Sequence, residues 1–236
     1  MAETIEDKVE QLERSNNEKE CFINNFTHEL KTPLTSIIGY ANFLQGSKYD
    51  EQLFFEAAHY IYKESKYLEK MSFKMMDLIY SKSQNLTLVP VSLREVVEEA
   101  EESLKGKLEE KKITLIIEGD SKRLRLDATL MKMLISNLLE NAIKASSEGA
   151  KILVQIIPLE EQVQLIVKDF GIGIGKEHLD KICEPFYIID PARTRKGNGA
   201  GIGLAICKKI IDAHNAKLHI ESKPGKGTMV MISFPI

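Results

Sequence analysis

The chain has 236 residues, 43% hydrophobic and 28% charged, with a formal net charge of −3 at pH 7. That balance excludes a disordered or collagen-like chain and leaves room for two modest domains. With 32 basic against 35 acidic residues and no Lys/Arg stripe interleaved with aromatics, nucleic acid is not an expected partner.

The first third carries a helical pattern. With Val9 as position a of a heptad, a four-three seam runs through Ile5, Val9, Leu12, Asn16, Lys19, Ile23, Phe26, Leu30 and Ile37. This is coiled-coil spacing, with Asn16 and Lys19 as polar interruptions that can fix register. His28 falls at the solvent-facing f position, followed by Glu29, Thr32 and Pro33 in the stretch FTHELKTPL. A nucleophile, a metal ligand and a plain solvated residue are all open for this histidine on local grounds. Pro33 is expected to remove one backbone hydrogen bond and kink the helix. Gly46 and Asp50 then supply a C-terminal stop and an N-cap. A second apolar period follows through Phe54, Ala57, Ala58, Ile61, Leu68, Met71, Met75, Leu78 and Ile79. Two helices and a short turn make a hairpin, and pairing of two hairpins into a four-helix bundle is the simplest way to cover both apolar faces.

The polar, proline-marked SKSQNLTLVPVS at 81–92 reads as the domain boundary. Beyond it a helix is capped by Ser92, with Glu95 at the capping-box position. ITLIIEG and RLRLD read as strands, and Asp127 caps the helix through MKMLISNLLENAIKAS. KILVQIIP and VQLIVKDF pair as strands, GIGLAICKKIIDAH is helical, and KLHIES and TMVMISFPI flank a KPGKG turn. Helices leading into a mostly antiparallel sheet point to a two-layer α/β sandwich rather than a dinucleotide fold. The expected fold is therefore α plus α/β, a helical hairpin followed by that sandwich.

Two Gly-rich stretches, DFGIGIG (169–175) and GNGAGIGLAI (197–206), are candidates for chemistry. The second opens a helix, where free N–H groups and the dipole favour phosphate. A plain loop is the competing reading. The glycines do not follow a buried first strand, and no GK[ST] is present, so Rossmann and Walker readings are weak. Asn137, Asn141 and Lys144 share one helix face. An amide oxygen there suits Mg²⁺ beside phosphates and a lysine offsets their charge, while a solvated polar face is the bland alternative. Cys21, Cys183 and Cys207 have neither zinc nor disulfide spacing, which fits a reducing, cytoplasmic setting. No apolar run approaches the ~18–20 residues that span a bilayer. The opening MAETIEDKVEQ leaves room for a membrane sensor upstream.

Taken together, HELKTPL, NLLENAIKAS, DFGIGIG, EPFYIID and GAGIGLAICKKII occur in the order of the H, N, G1, F and G2 boxes. Over residues 20–236 the chain resembles the sensor histidine kinases of two-component signalling. Their ATP-binding fold, the Bergerat type, is shared with DNA gyrase, a heat-shock chaperone and mismatch-repair ATPases. The resemblance implies a coiled-coil lead-in at 1–20, a dimerisation and phosphotransfer domain at 21–85 and an ATP-binding domain at 86–236. His28 matches the phosphoacceptor, Glu29 its acidic neighbour, and Thr32 the residue that orients water for phosphatase action on the regulator. Asn141 matches the Mg²⁺-binding asparagine, with Asn137 and Lys144 as nearby nucleotide contacts and Asp169 as the acceptor for the adenine amino group. Gly171 and Gly173 match the G1 turn, and Phe186 the F-box aromatic. Gly199, Gly201 and Gly203, followed by Leu204, match the G2 phosphate loop, and about 176–198 matches the mobile lid. ATP and Mg²⁺ are the implied ligands; a second copy of the chain and a response-regulator receiver domain are the implied partners. Two positions depart: Ala145 stands where many relatives have an aromatic, and Ile188 where many have arginine. Phosphate stabilisation is then left to Arg193 or Arg195, unless ARTRK is simply a solvated loop. His59 is expected on the bundle surface, and His214 is expected to complement a helix dipole. His178 and His219 carry no particular expectation.

Overall fold

The structure is a computed structural model that describes residues 2–46, 50–80, 86–189 and 201–236. It divides into two compact units, Met1–Lys74 and Met75–Ile236.

The first unit is built from helix α1 (Ala2–Gly46) and most of helix α2 (Glu51–Tyr80). Asp50 caps α2 as its sequence implies, its Oδ1 accepting the Leu53 N–H at 3.0 Å. Two contacts give the helices their antiparallel sense. Tyr40 stacks on Tyr60 with ring centroids 4.9 Å apart, and the Tyr67 hydroxyl donates to Glu29 at 3.0 Å. Ala57 and Met71 are buried, yet Ile23, Leu34, Ile38, Phe55 and Tyr62 remain exposed. One hairpin does not cover its own apolar surface. Helix α1 is continuous through the buried Pro33. The ring has no N–H to offer the Glu29 carbonyl, and Thr32, Thr35 and Ser36 back-bond to carbonyls four residues earlier.

The second unit opens with strand β1 (Leu88–Val91), helix α3 (Leu93–Glu110), strand β2 (Thr114–Gly119) and strand β3 (Leu124–Asp127). Helix α4 (Ala128–Ala145) and strands β4 (Lys151–Pro158) and β5 (Gln162–Asp169) follow. A short helix α5 (Lys176–Leu179), helix α6 (Gly203–Ala213), and strands β6 (Lys217–Lys223) and β7 (Gly227–Pro235) complete it. The main sheet has the order β2-β4-β5-β7-β6. Only the β2–β4 pair is parallel. Strand alternation puts Ile152, Val154 and Ile156 of β4, Val163, Leu165 and Val167 of β5, and Ile232 and Phe234 of β7 in the core. Against them lie Leu134, Ile135, Leu138 and Leu139 of α4 and Ile206, Ile210 and Ile211 of α6, all buried. Helices on one face of the sheet make the expected two-layer sandwich. Truncating a fully buried member such as Leu134 to alanine costs about 2–5 kcal/mol.

Two local expectations are corrected. Residues 88–91, read as linker, form β1, which pairs antiparallel with β3 and sets Pro90 opposite Arg125. Proline is tolerated because this two-stranded sheet has open edges where no N–H is needed. Ser92 does cap α3, accepting the Glu95 N–H at 3.2 Å. The reciprocal half of the capping box is not made, because Arg123 takes the Glu95 carboxylate at 2.6 Å. His214 caps the C-terminal end of α6, in keeping with its expected place at a helix terminus, and it is buried at 7% exposure. Its Nδ1 lies 2.8 Å from the Ile210 carbonyl, and its Nε2 accepts the Asp127 N–H at 3.0 Å. These partners select the tautomer with the proton on Nδ1. Asp127 meanwhile caps α4 through Leu130 N–H and receives Thr87 N–H. One residue pair therefore ties the end of α6 to the starts of α4 and β1.

His214→Leu strands the Asp127 N–H and is expected to cost about 1–3 kcal/mol. Urea unfolding of the variant reads the loss, and an unchanged midpoint contradicts the staple.

Candidate functional site

Helix α4 carries its core on one side and its polar residues on the other. Asn137 donates from Nδ2 to the Met133 carbonyl at 2.9 Å. Asn141 makes no side-chain hydrogen bond among the described residues, so its amide is available to a ligand. Lys144 lies 4.0 Å from Glu140. Gly203, first residue of α6, lies against this face: a Cβ there would sit 3.1 Å from Asn137 Oδ1 and 3.8 Å from Asn141 Nδ2. The cap position of α6 is Ile202, which offers no side-chain hydrogen bond. The first N–H groups of α6, beginning with Gly203 and Leu204, therefore open toward the asparagines as an anion-favouring helix start.

The other end of α4 meets the turn after β5. Asp169 is 6% exposed, and its Oδ1 accepts Gly171 N–H at 2.9 Å and Thr228 N–H at 3.3 Å. Burial pushes this carboxyl above its ordinary value, and the two N–H bonds pull part of the way back. The turn is pinned by Ile172 N–H on the Ala145 carbonyl at 3.2 Å and by Ile174 N–H on Ser222 Oγ at 2.8 Å. Gly173 has φ +67, and any Cβ there would strike the Lys223 carbonyl. Ala145 thus backs the turn directly.

Phe186 sits at φ 65, a left-handed conformation rare for a non-glycine residue. Its N–H donates to the Gly201 carbonyl at 3.0 Å, which joins the EPFY segment to the second Gly-rich stretch just before α6. His178, given no role by its position, lies with Nδ1 2.7 Å from the Tyr187 hydroxyl and ties α5 to this segment. Arg193, Arg195 and Gly199 lie outside the described residues, as does the 190–198 part of the expected lid. Ser222 and Thr228 join the site without having been singled out from sequence. TMVMISFPI read only as strand, and the Thr228 contact runs through its backbone N–H, which no side-chain motif encodes. Among the described residues, no three His, Cys, Asp or Glu side chains gather into a metal cage.

On the first unit His28 is exposed, and its ring makes no hydrogen bond among the described residues. Glu29 is half-buried. Thr32 Oγ1 reaches back to the His28 carbonyl at 3.4 Å. His59 is exposed, as is His219, which pairs with Glu221 at 3.0 Å.

Residues 18–81 match the family described as His Kinase A (phospho-acceptor) domain, and residues 126–236 match the histidine kinase-, DNA gyrase B- and HSP90-like ATPases. The chain belongs to the histidine kinases. Sensor histidine kinase YkoH of Bacillus subtilis is 32% identical over 244 residues, covering 99% of this chain and 51% of that protein. Sensor protein SrrB of Staphylococcus aureus is 28% identical over 230 residues, covering 92% and 38%. The chain thus spans 51% and 38% of the length of these two curated relatives. Among solved structures, histidine kinase ThkA in complex with response regulator protein TrrA aligns with a TM-score of 0.77 at 25% identity, over 98% of this chain and 66% of that one. No described helix of this histidine kinase is long and apolar enough to cross a membrane.

Asp169 holds its proton more tightly folded than unfolded. Its contribution to stability is full below the ordinary value of 3.8 and is lost as pH rises through the raised value. Asp169→Asn, neutral throughout, is therefore expected to be more stable than the wild type at pH 7. The gap should close as pH falls toward 3.8, with urea midpoints at paired pH values as the measurement. A variant no more stable at pH 7 contradicts the assignment.

Proposed function

We propose that the chain is an ATP-dependent protein histidine autokinase that phosphorylates His28 and relays the phosphoryl group to an aspartate of a response regulator. The observation that carries this reading is the meeting of the uncapped start of α6 with the unpartnered Asn141 amide. It is a phosphate site with a neutral metal ligand beside it. Asn137, Lys144 and the N–H groups of the 199–204 loop hold the phosphates, with Phe186 holding the loop at Gly201 and Arg193 and Arg195 adding charge. Gly171 and Gly173 let the adenine approach the turn, and Asp169 accepts from its amino group. Magnesium fits a site with one amide oxygen and no protein cage, because it retains waters and binds mainly to phosphate. When bound, it neutralises charge on the transferring group.

The chemistry is an in-line displacement in which positioning does most of the catalysis. The lone pair of the unprotonated His28 ring nitrogen attacks the γ-phosphorus. The bond to the bridging oxygen breaks, its electron pair leaving on ADP, and the proton on the other ring nitrogen passes to Glu29. Exposure of His28 supports the reading, since an ATP domain and then a receiver domain must reach it. Asn137 lacks the basicity to activate water, which favours transfer over hydrolysis. ThkA is described in complex with a response regulator, and a receiver domain is the corresponding partner here. Thr32, exposed one turn after His28, is the residue that would orient water for a phosphatase activity, hydrolysis of the regulator's aspartyl phosphate.

Domain limits of 1–20, 21–85 and 86–236 go with this reading. A homodimer through the hairpin is supported by the exposed Ile23, Leu34, Ile38, Phe55 and Tyr62 and by the phospho-acceptor domain match. A cytoplasmic catalytic portion below an upstream sensor accords with the relatives' greater length.

With radiolabelled ATP the wild type should take up acid-labile, base-stable phosphate. His28→Gln should take up none, and Asn141→Asp should lose about 100-fold or more in rate, its new charge opposing the phosphates. Nucleotide binding without any labelled protein at saturating Mg·ATP contradicts the proposal.

A further inference from the structure

Neighbours in a helix point about 100° apart, and here the two residues at the reaction centre face different surroundings. His28 is exposed, while Glu29 is half-buried beside α2. Glu29 Oε2 accepts a hydrogen bond from the Tyr67 hydroxyl at 3.0 Å, across 38 residues of sequence. Glu29 makes no other side-chain hydrogen bond or ion pair among the described residues, which leaves Oε1 unengaged. Tyr67 is itself half-buried, and its phenol is held well above the usual tyrosine range. Burial is the main cause, followed by the Glu29 charge and hydrogen bond, then by Glu64. At neutral pH the phenol therefore serves as a fixed donor.

We infer that Tyr67 is a positioning residue for phosphotransfer: it anchors one oxygen of Glu29 to α2 and leaves the other directed to the ring proton of His28. The inference rests on the kinase reading above and adds a residue that none of the five sequence motifs contains. An unanchored glutamate samples three side-chain torsions, and only a fraction of those rotamers brings an oxygen toward a neighbour on the same helix. Anchoring one oxygen selects the rotamer before the substrate arrives, while the second oxygen keeps its lone pairs. The ring nitrogen bonds to phosphorus, the bond to ADP breaks with its electron pair, and the proton on the other nitrogen moves to Oε1. Tyr67 transfers nothing itself. Its removal should leave ATP binding intact, because the nucleotide residues all belong to the second unit.

The test is the initial rate of labelling of the full chain across a range of Mg·ATP, for wild type and Tyr67→Phe, which deletes only the hydroxyl. Kcat should fall about tenfold, part of what a general base contributes, with KM for ATP within about twofold of wild type. A kcat equal to or above that of the wild type overturns the inference; a higher value would mean that Tyr67 holds Glu29 away from His28. A fall shared with a large rise in KM also overturns it, because general loosening of the fold then suffices. If the wild type takes no label, the kinase reading falls and this inference with it. A labelled wild type with an indifferent Tyr67→Phe removes the inference alone. Should Tyr67→Phe not fold, tyrosine labelled with ¹³C at Cζ reports the contact in the wild type and in Glu29→Gln. The Tyr67 resonance should ionise at lower pH in Glu29→Gln, with Glu64 unchanged and burial still acting. Identical titrations in the two proteins refute the contact.

Discussion

Asp169 closes β5 with a carboxylate that is 6% exposed, and N–H groups from Gly171 and Thr228 converge on one of its oxygens. Much of the ATPase unit is arranged around that placement. A buried carboxylate is tolerated only with such donors, and they must approach within hydrogen-bond distance along the backbone. That requirement explains the glycines nearby. At Gly171 a Cβ would strike the Ala145 carbonyl, and at Gly227, with φ +91, it would strike the carbonyl of Asp169 itself. The carboxyl remains raised in spite of these partners, because the cost of burying its charge outweighs them.

Helix α4 connects this end of the site to the other. Its apolar side packs into the core through Leu134, Leu138 and Leu139. Its polar side runs from Asn137 through Asn141 to the Ala145 carbonyl that pins the turn after β5. Lys111 secures the far end by donating to the carbonyls of Ile143 and Ser146 at 2.7 and 3.0 Å, as the orphan groups of a helix terminus require. The His214–Asp127 pair secures the near end. With both termini held, the separation between the turn after β5, pinned at Ala145, and the start of α6, packed against Asn137 and Asn141, is set by α-helical geometry. His28 belongs to the separate helical hairpin and is exposed there, as the proposed transfer to and from its ring requires.

The sequence was most legible where side-chain pattern and backbone requirement coincide. Alternation along KILVQIIP and VQLIVKDF placed β4 and β5, and Asp50, Ser92 and Asp127 were recognised as caps because their side chains make the bonds. The shared face of Asn137, Asn141 and Lys144 was legible because their spacing fixes it once α4 is recognised as a helix. Strand β1 was missed because Pro90 and its polar flanks look like a linker, and only pairing with β3 makes them a strand. His214 was legible as a helix-end residue, but its second partner was not, because that partner is a backbone N–H 87 residues earlier in the chain. Glu95 reached Arg123 instead of its own cap, since the Arg123 guanidinium is a stronger partner than a neutral N–H. Thr228 and Ser222 act through long-range bonds that residue type does not announce, and Tyr67 meets Glu29 only after the hairpin forms.

The most direct test of the central claim is to locate the phosphate chemically. The chain is incubated with Mg·ATP, digested under alkaline conditions that preserve phosphohistidine, and its peptides are fragmented in a mass spectrometer. The account predicts a single modified histidine, His28. Phosphate on any of the other four histidines, His59, His178, His214 or His219, or on a serine or threonine in its place, would contradict it.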